Sequence, residues 1–91
     1  MDNVKVTDQE ALDILNDIKQ AEIDSIEYDK KEIAKLKDKI KLKSYNREDY
    51  TMLEGDLKRM EDMLEYLNKC VATYDLAIDY ISKNMEEGKD E

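Results

Sequence analysis

Residues 50–85 read YTMLEGDLKRMEDMLEYLNKCVATYDLAIDYISKNM. Within them Tyr50, Leu57, Leu64, Val71, Ile78 and Met85 fall seven residues apart. Leu53, Met60, Leu67, Tyr74 and Ile81 fill the positions three further on. Apolar side chains recurring every 3.5 residues on average line one stripe of an α-helix, the seam of a coiled coil. No polar residue interrupts the stripe, and proline, which would break the helix, is absent from the chain. A stripe of this length is stable only against a second helix.

That partner lies upstream. Ala11, Leu15, Ile18, Ile26, Ile33, Leu36 and Ile40 share a helical face, with Glu22 and Asp29 on the same face. The start of this first helix is marked at Thr7: Glu10 three residues later completes a capping box, and Val6 and Ala11 stand at the positions of a hydrophobic staple. The second helix shows a similar start, with Asn46 as cap, Asp49 in the first turn and Tyr45 and Tyr50 as staple. Gly88 is the expected stop. These signals predict a single all-α domain over 1–91: an arm at 1–6, helix one at 8–43, a turn at 44–46, helix two at 47–87 and a tail at 88–91. The helices would be about 54 Å and about 61 Å long at 1.5 Å per residue. A connection this short makes them antiparallel, a long helical hairpin. Folding about residue 45 sets Lys30 against Glu61 and Lys37 against Glu54, exposed pairs worth at most about 1 kcal/mol each.

The apolar surface is wider than a two-helix seam needs. Met63, Cys70 and Ala77 line one flank of helix two, and Met52, Tyr66 and Tyr80 extend it. Ile14, Ala21 and Tyr28 widen the matching side of helix one, while Ile23 lies on its other edge. Tyrosine, with an apolar ring and a polar tip, suits an interface, and Tyr28, Tyr66 and Tyr80 are not used by seam or staple. The expected cover is a second copy, giving a four-helix bundle or a higher homo-oligomer. Tyr28, Met63, Tyr66, Cys70, Ala77 and Tyr80 are the expected interface.

Charge is abundant and uneven. The 91 residues carry 15 basic and 24 acidic side chains, net −9. Residues 30–47 hold eight basic groups against two acids, +6, which leaves −15 for the remainder. Lys35, Lys39, Lys43 and Arg47 would therefore form a basic tip. It reads first as a solvated sleeve with cross-helix ion pairs, and otherwise as a contact for an acidic partner or a phosphate. The acidic remainder repels nucleic acid and anionic membranes, so neither is expected as a partner. No run of apolar residues spans a bilayer, and residues 1–6 have no signal-peptide pattern. With one cysteine, Cys70, no intramolecular disulfide forms. The cytoplasm is the expected location.

The chain holds few side chains suited to catalysis. The absence of histidine removes histidine-based nucleophile activation and the usual zinc sites. Cys70, on an apolar flank, reads as a small hydrophobe. Gly55 and Gly88 are isolated and belong to no phosphate-cradling loop. Glu22 and Asp29, on the core-facing stripe near Leu67 and Met60, must be paired, hydrated or protonated. They read as polar seam residues that fix register, bonded to Lys19, Ser25, Tyr66 or Tyr74 or edging into solvent. The functional alternative is an inter-subunit pocket for a cation or small ligand. About 10.5 Å apart along one helix, they are too distant to act as an acid–base pair. No cofactor, metal or catalytic activity is expected.

What remains is surface, and three function classes fit it. The foremost is a small oligomeric adaptor or inhibitor that binds a host protein stoichiometrically, in the style (though without any shared motif) of small acidic helical proteins from phages and mobile elements. The second is a helical bundle that sequesters an anionic small molecule such as a nucleotide. The third is a structural spacer or scaffold subunit.

Overall fold

The computed structural model describes residues 4–89, with side chains as far as Glu86. It holds two helices, α1 (Asp8–Tyr45) and α2 (Thr51–Lys89), packed against each other as an antiparallel hairpin. Together they contain 89% of the described residues, among which there is no strand. Residues 1–3 of the arm and 90–91 of the tail lie outside the described residues.

α1 begins where the capping box requires. The Glu10 N–H donates to Thr7 Oγ1 at 3.1 Å, and the Thr7 N–H donates back to Glu10 Oε1 at 3.1 Å. Two orphan donors of the first turn are thereby satisfied. Val6, expected to staple this end, stays exposed.

The turn departs from expectation. α1 runs on to Tyr45, and Asn46 ends it instead of starting α2. The Glu48 N–H reaches back to the Lys43 carbonyl at 2.8 Å and the Arg47 N–H to Ser44 at 3.1 Å. This is the paired 6→1 and 5→2 closure of a Schellman motif. Its left-handed position is filled by Arg47, at φ 59°, where glycine is usual. α2 starts four residues later than expected. The Tyr50 carbonyl takes its first helical hydrogen bond, from the Glu54 N–H at 3.1 Å. Asp49 Oδ1 accepts from the Thr51 N–H at 3.0 Å and from the Thr51 hydroxyl at 2.7 Å. At the far end α2 passes through Gly88 to Lys89, so that glycine is no stop.

A five-residue connection moves the pivot of the hairpin, and the ion pairs move with it. Lys37 pairs with Glu61 at 4.0 Å, not with Glu54. Lys30 turns to Glu27 on its own helix at 3.9 Å. The seam of α1 is also rotated slightly from the expected face. Leu12, Lys19, Ile26, Ile33 and Ile40 recur in sevens with Leu15, Glu22, Asp29, Leu36 and Lys43, and all ten are at least half-buried. Ile18, expected inside, is exposed. Lys19 takes its place in the seam and bridges to Asp75 on α2.

Candidate functional site

The hairpin has two unlike sides, set by which heptad positions flank the seam. On one side a shallow groove is lined by Lys30, Ile33, Ala34, Lys37, Glu61 and Leu64, with the Lys37–Glu61 pair across it. This is an ordinary solvated edge. On the other side lie Ile14, Ile18 and Tyr28 of α1 with Met63, Tyr66 and Tyr80 of α2, all exposed. Ala21 is exposed among them, and Cys70 and Ala77 are half-buried beneath. All six residues expected at an interface therefore share one side of the molecule, and four of them face solvent. Tyr66 is 62% exposed and Tyr80 69%.

Little apolar surface is hidden elsewhere. Only Ile26 and Ile33, at 5% and 7% exposure, form a buried core among the described residues. The molecule measures 70 × 33 × 15 Å, so it is one helix layer thick. Its radius of gyration is 20.2 Å, against about 12 Å for a compact domain of this length. A layer with an apolar face needs a second layer to close a core.

Nearer the turn the same side changes character. A cleft of 470 Å³ has Leu36, Met60 and Met63 among its lining, with Lys35, Lys39 and Arg59 set among Asp29, Glu32 and Asp56. Lys35 pairs with Glu32 at 3.4 Å, and Arg59 bonds Asp56. Three bases and three acids balance, so the cleft presents no excess positive charge to an anion. The four residues of the expected basic tip have separate settings. Lys35 and Lys39 line this cleft, Lys43 pairs with Glu48 at 3.8 Å, and Arg47 sits in the turn.

The two seam acids differ. Asp29 opens on the cleft. Glu22 Oε2 is buried without a hydrogen-bond partner, so none of the bonds expected for it reaches that atom. Beside it the Tyr66 hydroxyl is raised above its ordinary value, chiefly by the neighbouring Cys70 thiol and further by Tyr74 and Glu22. Nothing in this cluster resembles a nucleophile with its base, and no group of three metal-ligating side chains occurs among the described residues. No helix among them is long and apolar enough to cross a membrane.

Lys19, expected only as a partner for Glu22 or Asp29, is itself a seam residue bridged to Asp75. Its signal was available: it stands seven residues before Ile26 and seven after Leu12. Comparison with known proteins found no family model, no curated protein and no solved structure that matches this chain.

Proposed function

We propose that this chain is a non-catalytic binding protein that works as a homo-oligomer, at least a dimer, and acts as an adaptor or inhibitor by stoichiometric binding to another protein in the cytoplasm. One observation carries the reading: an apolar face of isoleucine, methionine and tyrosine is left in water by a hairpin one layer thick. Contiguous apolar surface of this kind marks an interaction site, and exposed tyrosine and methionine are typical of interface centres. The chain offers no histidine, and its one cysteine is half-buried on this face, so binding is the use its side chains support.

Paired glutamates placed on and off the face test it. Met63→Glu with Tyr66→Glu should yield monomers or unfolded chains and abolish activity in the host. Leu76→Glu, at a residue 73% exposed outside the seam of α2, should leave assembly intact. If Leu76→Glu disrupts assembly and the double variant does not, the surface is misplaced. Turnover of a substrate by the purified protein would overturn the reading altogether.

A further inference from the structure

We infer that the occupant of the apolar face is a second copy docked tip to tail, so that the two turns lie at opposite ends of the dimer. This rests on the self-association proposed above and adds its geometry.

Area comes first. The chain exposes 7620 Å², whereas a compact monomer of 10.7 kDa exposes about 5,500 Å² by the usual scaling with mass. The excess is roughly 2,000 Å² per chain, and twice that falls within the range of obligate homodimers, about 2,000–5,000 Å² in total. A second copy is the partner whose supply always matches the chain's own need for cover.

A two-fold axis that lays this face on itself must lie in the plane of the face. If it runs along the hairpin, the two tips fall together. If it runs across, they fall apart. Charge decides between them. The half near the turn, residues 27–70, has eleven basic and eleven acidic side chains and no net charge. The far half, residues 4–26 and 71–89, has four basic and ten acidic, −6. Tips together sets −6 against −6, and like charges across an interface are costly. Tip to tail sets each −6 against a neutral half.

The contacts also match. The midpoint of Thr51–Lys89 is residue 70, and that of Asp8–Tyr45 lies between residues 26 and 27. An axis across the hairpin at that level stacks α2 on α2, with Cys70 facing its own counterpart, Tyr66 facing Tyr74 and Met63 facing Ala77 of the second copy.

Spin labels away from the interface read the geometry in the full chain. In a Cys70→Ser background, Tyr45→Cys marks the tip and Lys83→Cys the far end. Pulsed dipolar spectroscopy should give label separations of about 55 Å and about 40 Å, twice the axial distance to the midpoint at 1.5 Å per residue. A dimer in which both distances fall below about 30 Å overturns the tip-to-tail arrangement and leaves self-association standing. A folded chain with the mass of one copy and no dipolar coupling overturns both.

Discussion

Arg47 occupies a left-handed backbone position at φ 59°, where a Cβ crowds the following carbonyl at a cost of roughly 1–2 kcal/mol. The Schellman closure around it holds the strain, because two carbonyls at the end of α1 depend on that turn. Arg47→Gly should therefore raise the unfolding free energy measured by chemical denaturation, by about 0.5–1 kcal/mol once the extra freedom of glycine in the unfolded chain is set against the relief. A loss of stability would mean that the arginine side chain contributes more than the backbone strain removes. Glu22 presents the opposite problem, a polar atom buried without a partner. Leaving such a group unsatisfied costs about 1–3 kcal/mol, and an apolar replacement relieves it. Glu22→Leu should leave stability unchanged or raise it by about 1 kcal/mol in denaturant melts, and Asp29→Leu should do likewise. A large loss on Glu22→Leu would show that the carboxylate is satisfied across the dimer.

Among the elements, the helices were legible and their junction was not. The uninterrupted heptads of α2 and the Thr7–Glu10 box mark long-range and local signals that agree, and both helices formed on them. At the turn the signals compete. Asn46 suits a start, but an arginine taking the glycine position let α1 end there instead, and no residue type announces that choice. A pivot moved by this turn then shifted the cross-helix pairs, placing Lys37 at Glu61. Gly55 is the weak point inside α2, since glycine in a helix interior costs up to about 1 kcal/mol relative to alanine. An added Cβ meets nothing within 4 Å there, so Gly55→Ala should raise thermal stability by about that amount. The helix starts also carry a pH dependence. Hydrogen bonds from the Thr7 backbone and hydroxyl hold the Glu10 carboxyl below its usual 4.5, and those of Thr51 hold Asp49 below 3.8. A depressed folded pKa gives stability that is full above the unfolded value and lost as pH falls through the folded one. Glu10→Gln with Asp49→Asn should accordingly flatten the decline in helix stability as pH falls below the unfolded values of 4.5 and 3.8, followed by circular dichroism.

At the scale of the whole molecule, the side on which Tyr28, Met63, Tyr66, Cys70, Ala77 and Tyr80 gather was legible because helix periodicity fixes which residues share a flank. The cleft was not, since composition alone cannot say that Lys35, Lys39 and Arg59 are interleaved with Asp29, Glu32 and Asp56 around it. What the molecule retains is a thin layer with an apolar side, and among the described residues only Ile26 and Ile33 are buried as a core; the self-association proposed above would give that side its cover. Light scattering of the purified chain at micromolar concentration tests this most directly. At least twice the single-chain mass of 10.7 kDa is expected. A stable, fully helical particle of 10.7 kDa would contradict it.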